Sequence, residues 1–223
     1  MVDLENFDAE DLMEKAQTKF NENQNYIYGA LVIIALVIGG VWWFTKSSEE
    51  KNIAANEAIW KSEFAFAKDS FNLAINGGVD ANGYPQQGLS DVAKEYSGTD
   101  AGELAKYRMG IGYLNMGQYD AAIEHLEDVS FNDDMVGAIA KGALGDAYYE
   151  KGEVGKAISN YKDAVNHSNN TFTCPIYLKK LAYAQEDAGD KEKALESYQR
   201  IKDEFPNSSQ AQDVDKHITR LSI

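Results

Sequence analysis

The 223-residue chain has few of the residues that usually mark chemistry or a disulfide framework: one cysteine, three histidines and three prolines. A single cysteine, Cys174, excludes an internal disulfide framework. So few Cys and His residues also disfavour a structural zinc site, which usually needs several of them. Basic residues are in the minority as well, because 21 Lys and Arg face 36 Asp and Glu, for a net charge of −15. This charge disfavours nucleic acid as a partner, since phosphate backbones need a cationic surface.

The chain also lacks the short motifs that position catalytic groups. No nucleophile-elbow, phosphate-loop, zinc-protease or dinucleotide-binding pattern stands in a fitting strand-to-helix context. His125, His167 and His217 are isolated from other ligand types, which is typical of surface or packing histidines. We therefore predict that the protein is not an enzyme and has no cofactor and no metal site. An enzyme with an unrecognised site stays an alternative.

One segment near the N-terminus has no charged residue between Glu22 and Lys46. Its core, from Tyr26 to Phe44, contains 19 residues. A helix of this length extends about 28 Å, close to the thickness of the hydrocarbon core of a bilayer. Aromatic residues stand at both ends, as is typical of the two membrane interfaces. The sequence therefore predicts a single transmembrane anchor over 23–45.

A buried helix of a soluble domain and a cleavable signal peptide are the two alternatives to an anchor. The buried helix is disfavoured because such a long uncharged run is hard to cover within a small domain. The signal peptide is disfavoured because residues 1–22 carry seven acids and only two lysines, and no small-residue cleavage site follows the apolar core. We expect this short acidic tail to stay in the cytoplasm, although the lysines on the two sides of the span are balanced and do not fix its orientation.

Small residues lie close together on the predicted span. Ala35 and Gly39 are four residues apart, and Gly40 is adjacent. Such a pair can let a second membrane helix approach closely, which predicts a helix-packing face. Glycine is also common in membrane helices in general, so both interpretations stay open.

The remainder of the chain, 46–223, contains an internal period. Gly117, Gly152 and Gly189 are separated by 35 and 37 residues. Each glycine is followed five residues later by an alanine and nine residues later by a bulky residue, and a small residue stands seven before it. Glycine suits the left-handed end of a helix, and a small residue lets a bulky side chain of the partner helix pack closely. The period predicts stacked pairs of helices.

This pattern resembles the tetratricopeptide repeat, a two-helix unit of about 34 residues. The best copies are GIGYLNMGQYDAAIEHLEDV at 110–129 and GDAYYEKGEVGKAISNYKDAV at 145–165. A third copy begins at Ala182 and has Gln185 where an aromatic residue is usual. The resemblance implies an all-α solenoid after the transmembrane helix, with repeats at about 101–134, 136–169 and 173–206. The fold supports many functions and does not select one.

Further helices are predicted on both sides of these repeats. Six apolar residues before them recur at the three-, four- and seven-residue spacings of one helix face. They are Ile53, Trp60, Phe64, Ala67, Phe71 and Ala74. They predict one long helix that ends at Gly77-Gly78 and, with a loop over 79–88 and a short helix over 89–96, a degenerate first repeat at 50–96. At the other end, 207–221 is predicted to form a capping helix.

In tetratricopeptide arrays the first helix of each pair lines a concave groove, which can hold an extended or helical peptide. The alignment of the repeats gives a mixed apolar, aromatic and charged set of inward positions, which we predict to bind protein segments. They are Tyr107, Ile111, Leu114, Asp146, Tyr149, Lys179, Tyr183 and Glu186. Ordinary packing against the next helix is the alternative for each of them.

The order of the parts also resembles a known family over the whole chain. An acidic tail, an uncleaved span, an alanine-rich amphipathic helix and then repeats form the layout of the YfgM family, ancillary subunits of the bacterial Sec translocon. The most telling segment is VWWFTKSSEEKNIAANEAIWKSEF at 41–64. The resemblance implies a single-pass protein of the bacterial inner membrane, with its N-terminus in the cytoplasm and its repeats in the periplasm.

The same resemblance implies the partners. They would be subunits of the Sec translocon, a membrane-anchored periplasmic chaperone and unfolded secreted clients. Together with the predicted groove, this indicates a non-enzymatic, chaperone-like scaffold in protein transport. The alternative is a structural adaptor in cell-envelope assembly or division complexes, which needs the same fold.

Overall fold

The computed structural model describes residues 9–79, 82–167 and 169–223. They belong to two compact units, of which the first ends at Glu50 and the second is Lys51–Ile223. The described chain is mostly helical. Its helices are α1 (Ala9–Glu22), α2 (Gln24–Phe66), α3 (Phe71–Asn76), α4 (Leu89–Glu95), α5 (Asp100–Asn115), α6 (Tyr119–Glu127), α7 (Val136–Glu150), α8 (Val154–His167), α9 (Thr173–Asp187), α10 (Lys191–Glu204) and α11 (Val214–Leu221).

Helix α2 contains the long uncharged segment. It begins in the first unit and ends in the second, and neither glycine nor proline interrupts it after Gly40. Its most apolar window of 18 residues has a mean hydropathy of 2.2, and no part of that window is buried. By length and composition this helix is able to cross a bilayer.

The prediction of one long helix up to Gly77-Gly78 is wrong, because the helix is interrupted in its middle. Helix α2 ends at Phe66, and α3 begins only at Phe71. Between them Asp69 has φ 54, in the left-handed region that a right-handed helix cannot contain. The amide of Ser70 donates to the carbonyl of Ala65 at 2.9 Å and closes this turn. A short Asp side chain tolerates the left-handed region better than most residues do, which explains why the break occurs here.

The predicted loop after α3 contains a minimal hairpin. Strand β1 (Gly78–Val79) pairs antiparallel with β2 (Pro85–Gln86), and Gly78 stands opposite Gln86. The hydroxyl of Ser62 on α2 donates to the carbonyl of Gln87 at 3.1 Å. This bond ties the segment after the hairpin to α2.

Three helix pairs follow, α5–α6, α7–α8 and α9–α10, and each first helix ends in the same way. The repeated glycines are left-handed, with φ 70 at Gly117, 86 at Gly152 and 79 at Gly189. At Gly152 the glycine amide donates to the carbonyl of Tyr149, and the next amide, of Glu153, donates to Tyr148, both at 2.9 Å. These bonds satisfy carbonyls that the end of a helix leaves open, so the predicted role of the glycines is confirmed.

Close packing within each pair depends on the small residues of the first helix. A Cβ atom added to Gly145 would lie 2.6 Å from the ring of Tyr161, and one added to Gly110 would lie 2.5 Å from Leu126. The bulky side chains therefore occupy the space that the glycines leave, as the repeat pattern predicts. Neighbouring pairs also pack closely at Gly142 on α7, which lies against the ring of Tyr177 on α9. A Cβ atom added to Gly142 would lie only 1.9 Å from that ring.

The described residues of the second unit form two hydrophobic cores. One core joins the end of α2 to α3, α4 and α5 through residues such as Ile75, Leu89 and Val92. The other continues through the three helix pairs to Val214 on α11. The segment predicted as one capping helix is a 3₁₀ turn, Ser209–Asp213, followed by α11. Val214 is 1% exposed, so this end covers the core of the last pair.

Candidate functional site

A groove of about 770 Å³ runs along the helix pairs of the second unit. Residues of the first helices α5, α7 and α9 form much of its wall, and α6, α8 and α11 complete it. Its lining is rich in tyrosines and carboxylates. The lining residues are Leu114, Asn115, Tyr119, Asp146, Tyr149, Glu150, Tyr161, Lys180, Tyr183, Glu186, Asp187 and Arg220.

Asp146 on α7 joins two neighbouring helix pairs in the wall of the groove. Its carboxylate accepts a hydrogen bond from the hydroxyl of Tyr161 at 2.8 Å and pairs with the ammonium of Lys180 on α9 at 2.6 Å. Tyr161 is 3% exposed, and burial followed by the charge of Asp146 raises the pKa of its hydroxyl. The tyrosine therefore stays a neutral donor, and the three side chains hold each other in place.

The C-terminal end of the groove is built around Glu186. This carboxylate pairs with Arg220 of α11 at 2.7 Å and accepts from the hydroxyl of Tyr198 at 2.7 Å. The ring of His217 stacks on Tyr198 with 4.7 Å between centroids. Burial, and then the bond to Glu186, raises the pKa of Tyr198. Helix α11 thus contributes a cation to the groove besides covering the core.

Between these two clusters lies Tyr149, whose hydroxyl donates to the carboxylate of Asp187 on the next first helix. This bond and burial raise the pKa of Tyr149 to about 12. Counted over its lining, the groove has four carboxylates and two cations, so it carries an excess of negative charge. Tyrosine rings held in place beside such charges can contact apolar and cationic side chains of a bound segment.

Other side chains that could take part in chemistry are buried or lie far from one another. Cys174 is fully buried, and burial raises the pKa of its thiol, which opposes formation of the reactive thiolate. His125 stacks on Tyr113 at 5.3 Å. Among the residues that the structure describes, no group of three or more His, Cys, Asp or Glu side chains is arranged to hold a metal ion.

Comparison with protein families identifies the helix pairs. Two family profiles, both described as tetratricopeptide repeat, match residues 107–170 and 180–208. Both matched segments overlap the stacked pairs that line the groove. These parts of the chain are therefore similar to tetratricopeptide repeats. Such repeats generally serve as non-enzymatic surfaces for protein interactions.

Solved structures support the same fold. A crystal structure of nearly identical TPR-like repeats of a putative kinesin light chain from Podosopora anserina is 15% identical, with a TM-score of 0.53. A variant of that protein is 14% identical, with a TM-score of 0.52. In each case the match covers 78% of this chain and 84% of the other. At identities this low, the structural likeness shows the tetratricopeptide fold and nothing about function. No curated protein sequence matches the chain closely enough to count as a relative.

Five of the eight groove residues predicted from the tetratricopeptide alignment line the observed groove. They are Leu114, Asp146, Tyr149, Tyr183 and Glu186. The other three do not line it. Tyr107 packs edge-on against Phe131 at 6.0 Å, Ile111 packs against the core, and Lys179 pairs with Asp213 at 2.6 Å. Tyr107 and Ile111 thus pack against neighbouring apolar groups, whereas Lys179 forms an ion pair.

The alignment missed seven lining residues of the tetratricopeptide groove, for identifiable reasons. They are Asn115, Tyr119, Glu150, Tyr161, Lys180, Asp187 and Arg220. Tyr161 stands at the repeated bulky position nine residues after Gly152, so the period itself marks it. Arg220 lies on α11, beyond the repeats, and only the packing of that helix brings it to Glu186.

The small residues of the predicted span lie in the first unit. A Cβ atom added at Gly39 or Gly40 would meet no atom within 4 Å, and both residues are exposed, as is Ala35. The described first unit therefore leaves room for another helix at these positions. That such a helix packs here stays a prediction.

Proposed function

We propose that the protein is a non-enzymatic scaffold of the bacterial inner membrane that holds segments of other proteins in its groove. The observation that carries this proposal is the groove itself, an open volume of about 770 Å³ along three stacked helix pairs. Its size falls within the range of ligand-binding clefts. Its wall combines aromatic surface with fixed charges, which suits an extended or helical peptide.

The charge of the groove indicates what kind of segment it holds. Asp146 and Glu186 are already paired with Lys180 and Arg220. Glu150, by contrast, is exposed at the end of α7 and forms no ion pair among the described side chains. Lysine or arginine side chains of a bound segment would find complementary charge there, and apolar side chains would contact the tyrosines. Unfolded secreted clients offer both kinds of side chain.

Anchoring through 23–45 is the second part of the proposal. The length and hydropathy of α2 and the unburied state of its apolar window support a single membrane span. The N-terminal tail would then lie in the cytoplasm and the repeats in the periplasm. A tether of this kind raises the effective concentration of the groove at the membrane without any new contact.

The third part concerns partners. The layout of tail, span, helix and repeats resembles that of ancillary subunits of the Sec translocon. On this basis we propose that the protein associates with Sec translocon subunits and with a membrane-anchored periplasmic chaperone, and that it assists secreted proteins as they emerge.

Extraction of the full chain in mild detergent, followed by mass spectrometry of copurified proteins, tests this function. The matched control lacks residues 1–45. We expect translocon subunits and a periplasmic chaperone to be enriched with the full chain and lost from the control. Enrichment of envelope-assembly or division proteins instead would contradict the translocon assignment and support a structural adaptor.

A further inference from the structure

Helix α2 exposes large apolar side chains on the face opposite to its packed one. In the part that belongs to the second unit, Ile53 is 57% exposed, Trp60 65% and Phe64 57%. The ring of Trp60 meets that of Phe64 edge-on, with 5.3 Å between centroids. The packed face of the same stretch consists of Ile59 and small residues: Ala55, Ala58, Ser62 and Ala65. We call Ile53, Glu57, Trp60 and Phe64 the α2 stripe.

The spacing of the α2 stripe is that of a helix-binding seam. Its members follow one another at intervals of four, three and four residues. This is the alternation by which one helix accepts the side chains of another between its own. The surface around Ile53, Asn56, Glu57 and Trp60 forms a shallow, open depression of about 570 Å³. A straight helix fits such a surface better than a compact loop does.

Charge distinguishes between the helices that could lie there. Glu57 lies in the middle of the stripe and is exposed, and it forms no ion pair among the described side chains. Glu95 lies close enough that both carboxylates act on the hydroxyl of Tyr96. A second copy of the chain, paired in register, would place Glu57 against another Glu57.

We propose that the α2 stripe docks an amphipathic helix of a partner protein, with apolar side chains on Ile53, Trp60 and Phe64 and a lysine or arginine against Glu57. This surface is separate from the tetratricopeptide groove, so the chain has two binding surfaces of different kinds. Three large side chains are fewer than a stable interface in solution usually buries. The contact is therefore weak by itself and depends on a high local concentration of the partner.

The test uses the full chain in nanodiscs of uncharged lipid and two synthetic helical peptides. Both peptides carry a leucine seam; one has a single lysine in the middle of that seam, and the other has glutamate at the same place. Binding is followed by fluorescence anisotropy of the labelled peptide. We expect the lysine peptide to bind about fivefold or more tightly than the glutamate peptide, since the pair changes from attraction to repulsion.

Variants locate the binding surface. Trp60→Ala and Phe64→Ala should each weaken binding of the lysine peptide severalfold. Phe172→Ala is the matched control, because Phe172 is 61% exposed elsewhere in the same unit. The exposed side chains support no core, so circular dichroism should show the fold unchanged. Equal weakening by the Phe172 variant would overturn the proposal.

Reversal of the charge is the decisive step. Glu57→Lys should invert the preference, so that the glutamate peptide binds more tightly. An unchanged preference would overturn the proposed role of Glu57. Self-association of the full chain that depends on Trp60 and is strengthened by Glu57→Gln would assign the stripe to a second copy and overturn the partner helix.

Discussion

The end of α2 and the repeat helices use apolar residues in opposite ways. In the repeats the glycines face a neighbouring helix, and large side chains such as Tyr161 and Leu126 fill the space beside them. On α2, between Lys51 and Phe66, small residues also face the core, but Ile53, Trp60 and Phe64 face away from it. Small residues mark the packed face in both regions. On α2, large side chains lie on both faces, because Ile59 is 4% exposed and faces the core, whereas Trp60 is 65% exposed.

This difference has a physical reason. A helix that must approach its neighbour closely does so with small side chains, and the neighbour supplies the bulk. Ile75 and Leu89 supply that bulk for the core beside α2. The large apolar side chains of the α2 stripe are then left exposed, and we propose that a partner helix covers them.

The first prediction compares the same substitution, isoleucine to alanine, on the two faces of α2, and we expect the largest change in stability here. Ile59→Ala removes a side chain that is 4% exposed and should lower the free energy of unfolding by about 2–5 kcal/mol. Ile53→Ala removes one that is 57% exposed and should change it by less than about 0.5 kcal/mol. Chemical denaturation of the full chain in detergent, followed by circular dichroism, measures both. Equal losses would show that the face of Ile53 is packed as well.

The second effect concerns close packing in the repeats. Gly145→Ala places a Cβ atom 2.6 Å from Tyr161, and the resulting strain of about 1–3 kcal/mol outweighs a gain of about 1 kcal/mol in helix propensity. Gly155→Ala is the matched control, because Gly155 lies on α8 with no atom within 4 Å of its Cβ position. We expect the control to raise the melting temperature and Gly145→Ala to lower it. A rise in both would contradict the account of the repeat glycines.

The third effect concerns the groove wall. Asp146→Ala leaves the hydroxyl of Tyr161 and the ammonium of Lys180 without their shared acceptor. We expect the free energy of unfolding to fall by about 1–3 kcal/mol, since a buried donor loses its partner. Asp163→Ala, at an exposed carboxylate on α8, should have almost no effect. Denaturation curves that do not distinguish the two variants would show that the cluster does not stabilise the fold.

The smallest effect is a pH dependence at the alkaline end. The pKa of Tyr149 is raised to about 12 by its bond to Asp187 and by burial, and those of Tyr161 and Tyr198 are raised as well. A raised pKa in the folded state gives stability that is complete below the usual tyrosine value of about 10 and is lost as the pH rises further. An ultraviolet titration of tyrosine ionisation should therefore show a group of tyrosines that ionise only well above pH 10. The Tyr149→Phe variant should contain one fewer tyrosine in that group. Titration of all 13 tyrosines in one step near their usual pKa would contradict this environment.

Much of the fold can be predicted from the sequence because the repeats are locally encoded. Gly152 and Gly189 each end a helix by their own backbone preference, and Gly145 and Tyr161 match in size across one helix pair. Such features depend on neighbours within one repeat. A period therefore reveals them.

The misses have two causes, a conformation taken by a single residue and contacts between elements that are distant in the sequence. The break at Asp69 depends on one left-handed residue, which no periodicity marks. The exposure of Trp60 was not predictable either, since an apolar stripe does not reveal which of two faces meets the core. Arg220 enters the groove because α11 packs on α9 and α10, and that contact lies outside the repeat pattern.

Site-specific photo-crosslinking would show whether the groove holds segments of other proteins, as we claim. A photoreactive amino acid would replace Tyr149 or Tyr183 in the groove, or Lys162 on the exposed side of α8 as the control, in the full chain inside cells. We predict crosslinks to secreted proteins from both groove positions and few from Lys162. Equal crosslinking from all three positions, or crosslinking from Lys162 alone, would contradict the claim.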